Sequence, residues 1–180
     1  MILLDPDLDS DLSPNRSTGS ANGANPRKQR IPSRRTLACF LREAQTAVGL
    51  RGQVTVLLTS DTVIRRLNRQ FRGKNKATDV LSFPAAEFAK VSKSRAGAPI
   101  QQRIAGDLAI SVPAARRQAA AQGHGLSTEI KVLILHGLLH LAGYDHESDD
   151  GEMARREHKL RAKLRLPQGL IERSEKGRLV

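Results

Sequence analysis

Three histidines lie close together in the segment HGLLHLAGYDH, which begins at His136 and ends at His146. His136 and His140 are four residues apart, so on a helix they lie on the same face, one turn apart. Gly143 stands where a helix commonly ends in a left-handed residue, and such an end turns the chain back toward the helix. The spacing therefore predicts that three imidazoles bind one metal ion.

Three protein ligands leave the fourth tetrahedral position of zinc open, which is the arrangement of catalytic rather than structural zinc sites. A histidine pair with this spacing is weak on its own, because histidines also occur on helices as partly buried or surface groups. The third histidine, the glycine and the apolar helix favour metal binding. We interpret His124 and His158 as non-ligands.

The residue after the first histidine limits the chemistry. In zinc peptidases a glutamate at this position is the general base for the attacking water, whereas this chain has Gly137. The usual route of peptide hydrolysis is therefore disfavoured. Glycine costs about 1 kcal/mol in a helix relative to alanine, so we expect Gly137 to allow close approach of substrate or another backbone to the metal.

The charge of the chain predicts a polyanionic partner. The formal net charge is +12 and the pI is near 10.8, although the first eleven residues include four aspartates. Basic surfaces bind phosphate backbones through counterion release, without regard to base sequence. Because aromatic residues make up only 3% of the chain, contacts to phosphates are expected rather than base stacking. A merely solvated cationic surface is the alternative.

The length and composition predict one intracellular domain. A chain of 180 residues with 39% hydrophobic content is long enough for one core and short for two. Neither a spanning segment nor the basic start of a signal peptide is found, which predicts a soluble, cytoplasmic protein. The single cysteine, Cys39, is interpreted as a small core residue.

The composition also divides the chain. We expect an edge strand within residues 1–9, because Pro6 removes a backbone donor after Ile2–Asp5. Residues 10–32 are rich in Ser, Asn, Gly, Pro and Arg and predict a disordered linker. The functional domain is expected at 33–166, followed by a C-terminal tail at 167–180. Within the domain, residues 85–103 predict a flexible, irregular loop.

Hydrophobic periodicity predicts the elements. A first helix begins at the cap Ser33 and ends at Gly49, and its buried positions are Leu37, Phe40, Leu41, Ala44 and Val48. A second helix covers about 61–71, with Ile64, Leu67 and Phe71 buried and Arg65, Arg66 and Arg69 facing water. Strands are expected at 54–58, 80–83 and 107–112.

Three further helices complete the prediction. An alanine-rich helix begins with Pro113 and ends at Gly123. The metal helix is capped by Ser127 and is apolar nearly all round, so it is expected to be buried. A last helix begins near Asp149, with Glu152 completing a capping box, and runs to about 166. Short strands alternating with helices indicate an α/β or α+β layer backed by the metal helix.

Three segments occur in a fixed order: LNRQFRGKNKATDVLSFP, then GDLAIS from Gly106, then HGLLHLAGYDH. Together they resemble the YbeY family of bacterial endoribonucleases. The resemblance extends from about 53 to 166 and, weakly, to the first strand. The chain departs from the family pattern at Asn75 and Ala77, where Asp and Pro are more common.

The resemblance implies a single α/β (α+β) domain with a small mixed four-stranded sheet, about five helices and a zincin-like metal helix. It further implies an endoribonuclease that is zinc-dependent (one Zn2+ per chain) and specific for single strands. The implied role is in 16S rRNA 3′-end maturation and 70S ribosome quality control. The implied partners are single-stranded RNA, small-subunit rRNA, the small ribosomal subunit and an assembly GTPase, with no membrane.

The resemblance also carries residue roles. His136, His140 and His146 match the metal ligands, and Arg72 matches a functional arginine that would neutralise charge on the phosphate. The basic residues Arg65, Arg69, Lys74 and Lys76 are candidates for RNA binding. Asp145 is expected either to contact a ligand imidazole or to shape the turn. Because zinc acidifies water, the absent glutamate is tolerable.

Two functions of other classes stay open. One is a metal-dependent hydrolase of another bond, such as a peptide, with a carboxylate supplied from elsewhere. The other is a non-catalytic, metal-containing factor that assists ribosome assembly through its basic face. An open metal position favours catalysis over the second alternative. The residues do not decide whether water or the ribose 2′-hydroxyl attacks.

Overall fold

Alternating apolar residues form a four-stranded sheet. The structure, a computed structural model, describes residues 1–6, 8, 30–85, 104–146 and 149–167. The strands are β1 (Ile2–Leu4), β2 (Gln53–Thr59), β3 (Val80–Pro84) and β4 (Ile104–Ser111). Their order in the sheet is β1, β2, β4, β3. Strands β1, β2 and β4 run parallel to one another, and β3 is antiparallel to β4. The predicted mixed sheet is confirmed, with β1 at its edge.

Five helices lie in the part of the chain that the structure describes, in agreement with the predicted α/β domain. They are α1 (Arg34–Val48), α2 (Asp61–Arg72), α3 (Val112–Ala121), α4 (Leu126–Leu141) and α5 (Glu152–Lys163). Within these described residues, no helix has the length and apolar content needed to cross a membrane.

The pleat of β4 separates two hydrophobic clusters. Leu108 and Ile110 point to the large cluster, which α1, α4 and α5 share with β2. Ala109, between them, points to a smaller cluster with Ile64 of α2 and Leu81 of β3. Side chains alternate between the faces of a strand, so each face of the sheet acquires its own layer of helices. The metal helix α4 lies in the large cluster, as its composition predicts.

Local signals placed α1 correctly. Ser33 Oγ accepts a hydrogen bond from the backbone N–H of Thr36 at 3.1 Å, as expected of an N-cap. At the other end Gly49 is left-handed, with φ 86°, and its N–H donates to the carbonyl of Gln45. Both predicted ends of this helix are therefore those of the structure.

Two other helix ends were predicted wrongly. Helix α4 begins at Leu126 after Gly125, whose carbonyl accepts the first helical bonds from Thr128 and Glu129, so Ser127 lies inside the first turn. Helix α5 begins at Glu152 rather than near Asp149. The Asp149 carboxylate does accept from the N–H groups of Gly151 and Met153, but from outside the helix.

Helix α5 also ends earlier than predicted, at Lys163 instead of 166. Arg165 adopts a left-handed conformation, with φ 56°. In that conformation its N–H donates to Ala162 and that of Leu166 donates to Arg161. These two bonds end α5 at Lys163, two residues before the left-handed Arg165.

Two predicted core residues are exposed. Cys39 lies on the outer face of α1, because it is two residues, or about 200°, from buried Leu37. Phe71 is 49% exposed and contacts Phe83 edge-on, with ring centroids 5.3 Å apart. Near the end of α2 the buried position is taken by Asn68, at 5% exposure, so the inner face has turned away from Phe71.

Three predicted segments lie largely outside the described residues. Of the linker at 10–32 only residues 30–32 are described, and of the loop at 85–103 only residue 85. The tail at 167–180 is described at residue 167 alone. The predictions for these segments, and the division of the chain based on them, stay predictions.

Candidate metal centre

Helix α4 carries two of the three histidines at its C-terminal end. His136 is 7% exposed and contacts Glu157 of α5 through Nδ1, while His140, one turn on, is half-buried at the rim. The apolar residues that surround His136 on this helix are buried in the large cluster. The two imidazoles are thus attached to one of the most enclosed elements of the molecule.

A Schellman motif brings the third histidine to the other two. Gly143 is left-handed, with φ 94°. Its N–H donates to the carbonyl of His140 at 3.0 Å, and the N–H of Tyr144 donates to that of Leu139 at 3.1 Å. These two bonds define the motif and reverse the chain. His146 therefore returns to the end of the helix, as the glycine predicts.

The three imidazoles converge. Their ring centroids are 4.8, 5.6 and 5.3 Å apart, and one ligand nitrogen from each lies within 4.8 Å of the others. The Nε2 atoms of His136 and His140 are 3.1 Å apart. Tetrahedral zinc with Zn–N bonds of 2.0–2.1 Å requires nitrogens about 3.3 Å apart. The spacing therefore fits a single ion after a small adjustment.

Two further observations fit a metal ligand set. Nδ1 of His146 is buried and has no hydrogen-bond partner among the described residues, which is costly for a polar atom unless something else binds it. Burial, followed by the neighbouring His136 and His146, lowers the pKa of His140 to about 4. The imidazole is therefore neutral near pH 7, which is the form that binds a metal ion.

Gly137 has a different purpose from the one predicted. A Cβ built at this position would lie 2.7 Å from Cδ2 of Leu108 and 3.3 Å from Oγ of Ser82. Both neighbours belong to the sheet, and Ser82 Oγ also donates to the carbonyl of Gly137 at 3.4 Å. The glycine allows α4 to approach β3 and β4 closely. The expected approach of substrate or backbone to the metal at this position was wrong.

A buried glutamate behind the cluster was missed by the sequence analysis. Glu157 of α5 is 1% exposed, and its Oε2 lies 3.0 Å from Nδ1 of His136. Its Oε1 lies 3.7 Å from the guanidinium of Arg161. The available signal was a charge on the apolar face of α5, because Glu157 falls between Met153 and Leu160, both of which are buried.

The cluster opens into a cavity of about 600 Å³. One side is formed by the histidines and by the chain from Gly143 to His146, the other by α2, β3 and the segment between them. Three cationic side chains also line it: Arg72, Lys74 and Lys76. One cavity is therefore bordered by six of the predicted site residues, namely Arg72, Lys74, Lys76 and the three predicted metal ligands.

Backbone and side-chain bonds hold the basic segment in place. Arg72 ends α2, and the left-handed Gly73 that follows, with φ 67°, turns the chain toward β3. The side-chain amide of Asn68 donates to the carbonyl of Lys76 at 2.7 Å. The Arg72 guanidinium donates to the carbonyl of Ser82 at 3.2 Å. These contacts hold the arginine at the edge strand beside the cavity.

The remaining predicted residues lie at the margin. Arg65 and Arg69 are exposed on α2 and do not belong to the cavity lining, whereas Asp145 does. The Asp145 carboxylate opposes the lowering of the His140 pKa, and its carbonyl accepts from the N–H of Asp149 at 3.0 Å. Both roles expected of Asp145 are compatible with this position. His124 and His158 lie outside the histidine cluster.

Two histidines on a buried helix and a third after the turn that ends it converge on a cationic cavity, which is the arrangement of a metal-dependent hydrolase in a small α/β domain. The family model described as endoribonuclease YbeY matches residues 24–165 of this chain. The chain therefore belongs to the YbeY family of endoribonucleases, which are RNA-cleaving hydrolases. The resemblance identified in the sequence is confirmed.

Two individual relatives agree with this assignment. The endoribonuclease YbeY of Koribacter versatilis (strain Ellin345) is 51% identical over 144 residues, or 80% of this chain and 86% of that protein. That of Solibacter usitatus (strain Ellin6076) is 49% identical over 134 residues, or 74% and 81%. The solution structure of TM1509 from Thermotoga maritima is 28% identical, covers 74% of this chain and 85% of that chain, and has a TM-score of 0.48.

Proposed function

We propose that this protein is a zinc-dependent endoribonuclease that cleaves single-stranded RNA. The proposed ligands of one Zn2+ are His136, His140 and His146, and Arg72 contacts the phosphate that is cleaved. We further propose that it acts in the cytoplasm in 16S rRNA 3′-end maturation and 70S ribosome quality control. The observation that carries the proposal is the convergence of three imidazoles and one arginine on a single cavity.

The chain's own residues supply binding and orientation. The three imidazoles would hold a zinc ion, which when bound would supply Lewis acidity toward a phosphoryl oxygen and water. The guanidinium of Arg72 presents planar donors that match phosphate oxygens and neutralise charge that grows on them during cleavage. Lys74 and Lys76 line the same cavity and attract the neighbouring phosphates as point charges.

The recessed position of the cluster supports a preference for single strands. His136 is 7% exposed, and His140 and His146 are only partly exposed, so a phosphate must enter the cavity to reach them. A single strand can bend its backbone into such a recess, whereas a rigid duplex holds its phosphates on the outside of a wide cylinder. Small-subunit rRNA, the small ribosomal subunit and an assembly GTPase are the proposed partners.

Metal removal tests this function. Purified protein is analysed for bound zinc and incubated with labelled single-stranded and double-stranded RNA of the same sequence. We expect cleavage of the single strand, loss of cleavage after treatment with a chelator, and recovery when zinc is returned. A His140→Ala protein purified in the same way reports any contaminating nuclease, because its own site lacks a ligand.

Each alternative function predicts a different result. Bound zinc without cleavage of any RNA would favour the assembly factor. Cleavage of peptides with RNA left intact would favour the other hydrolase. The glutamate that zinc peptidases carry after the first histidine has no room here, because a side chain at position 137 would overlap Leu108. Equal RNA cleavage by wild type, chelated protein and His140→Ala would contradict the proposal.

A further inference from the structure

Two charged residues of α5 are buried directly behind the histidine cluster. Glu157 is 1% exposed and Arg161 is 2% exposed. One carboxylate oxygen of Glu157 lies 3.0 Å from Nδ1 of His136, and the other lies 3.7 Å from the Arg161 guanidinium. Each oxygen of the carboxylate thus has its own partner, and one of these partners belongs to the histidine cluster.

Stability does not account for this pair. Removing two charges from water offsets most of their mutual attraction, so apolar residues of similar volume are often equally stable or more stable. The neighbouring buried positions of α5, Met153 and Leu160, are apolar. A helix built only for packing would continue that pattern through 157 and 161. The two charges therefore indicate that His136, which Glu157 contacts, requires a carboxylate partner.

We infer that Glu157 is a positioning residue for His136 and that Arg161 acts through Glu157, because the charge of its guanidinium favours the ionised carboxylate. A hydrogen bond from Nδ1 keeps the imidazole proton on that nitrogen and fixes the plane of the ring. The Nε2 lone pair is then directed to the other side, where Nε2 of His140 lies 3.1 Å away. Partners of this kind orient metal-binding histidines in general.

His136 is the ligand for which such orientation matters most. It is the buried member of the cluster, whereas His140 and His146 are partly exposed and can adjust toward an ion. A fixed His136 sets the point on which the other two converge. The inference rests on the metal-dependent function proposed above, and it concerns the chain's affinity for the ion before any RNA is present.

The test measures zinc affinity of the metal-free protein by competition with a chromophoric chelator. Glu157→Leu combined with Arg161→Met removes the hydrogen-bond acceptor and both charges of this pair together. We expect this protein to melt at the wild-type temperature or above, and to bind zinc about 100-fold more weakly. Glu157→Gln retains an acceptor oxygen, so its loss is expected to be only about tenfold. Glu152→Gln, an exposed change on the same helix, is expected to bind zinc as the wild type does.

A second readout follows the ring itself. Long-range 1H–15N NMR of the imidazoles in the metal-free protein distinguishes the two neutral tautomers. We expect His136 to carry its proton on Nδ1 in the wild type and to be a mixture in the double variant. A residue that serves packing alone would leave this spectrum unchanged.

Failure of the positioning role of Glu157 and failure of the proposed nuclease function give different results. A folded double variant with wild-type zinc affinity would overturn the positioning role while leaving the nuclease proposal intact. If the double variant does not fold, Glu157→Gln decides in its place, and wild-type affinity in that protein would overturn the role. A wild type that binds no zinc would remove the proposed function and this inference together.

Discussion

Two buried glutamates each contact a histidine, at opposite ends of α4, and their surroundings differ. At the N-terminal end His124 contacts Glu129, five residues further along the chain, within the connection from α3 into α4. At the C-terminal end His136 contacts Glu157, 21 residues further along, which brings α5 against α4. Two more histidines stand beside His136, whereas His124 lies outside the cluster.

A histidine–glutamate pair occurs at both ends of α4, but among the described residues a cluster of three histidines occurs only at the C-terminal end. A histidine with a buried carboxylate partner has a fixed ring at either end of the helix, so the pairing alone predicts no metal. At the C-terminal end the left-handed Gly143 returns the chain, and the cationic segment after α2 faces the result. The proposed chemistry depends on this convergence at the C-terminal end of α4.

Alanine substitutions of His136 and His124 should show the largest difference between the C-terminal and N-terminal ends of α4. His136→Ala removes a proposed ligand, so we expect zinc to be lost and RNA cleavage to fall to the level of a control without enzyme. His124→Ala should retain zinc and cleavage while lowering the free energy of unfolding by about 1 to 3 kcal/mol, because buried Glu129 loses a partner. Zinc content, cleavage rate and urea denaturation measure these effects. Loss of zinc from both variants would contradict the comparison.

Arg72→Ala should separate cleavage from metal binding at the C-terminal end. We expect kcat for single-stranded RNA to fall about 100- to 1,000-fold, as for the loss of one donor to a developing oxyanion, with zinc content unchanged. Arg66→Ala is the matched control, since Arg66 is exposed on the same helix and does not line the cavity. Equal kcat in the two variants would remove Arg72 from the mechanism.

Gly137→Ala should show how tightly the ligand-bearing end is packed. The added methyl overlaps the side chain of Leu108, which is 1% exposed and must shift within the core to accommodate it. Overpacking costs about 1 to 3 kcal/mol, and alanine's helix propensity returns about 1 kcal/mol. We therefore expect a net destabilisation of about 1 kcal/mol by urea denaturation. An increase in stability would mean that α4 can move away from the sheet.

Ser127→Ala should have the smallest effect, at the opposite end of the helix. The N-cap of α4 is Gly125, and no side chain caps the helix there. We expect the free energy of unfolding to change by less than about 0.5 kcal/mol. The cap originally predicted at Ser127 would instead be worth about 1 kcal/mol, so the same urea denaturation experiment distinguishes the two cases.

The parts predicted correctly depend on residues near one another in sequence. Ser33 and Gly49 set the ends of α1 through bonds within a few residues. His136, His140 and Gly143 share one helix and its turn, so the convergence of three histidines could be predicted from helical geometry alone. Residues 54–58 and 107–112 were likewise predicted as strands before any pairing was known, and β2 and β4 contain all of these residues except Val112, which begins α3.

The parts that were missed depend on tertiary contacts. The purpose of Gly137 is determined by Leu108 and Ser82, which belong to strands earlier in the chain. The partner of His136 lies on another helix, and α5 could not be placed against α4 from its own periodicity. The exposure of Phe71 accompanies the burial of the polar residue Asn68 on the inner face of α2, which the apolar periodicity of the helix does not predict.

Pro84 and Gly106 pair directly across β3 and β4, so the connecting segment leaves and re-enters the sheet at neighbouring positions. When the ends of a loop are already adjacent, each doubling of its length costs only about 0.6 kcal/mol. We therefore expect insertions or deletions within residues 86–103 to leave the pairing of β3 with β4 intact. A foreign peptide or tag placed there is expected to leave the candidate metal centre unchanged.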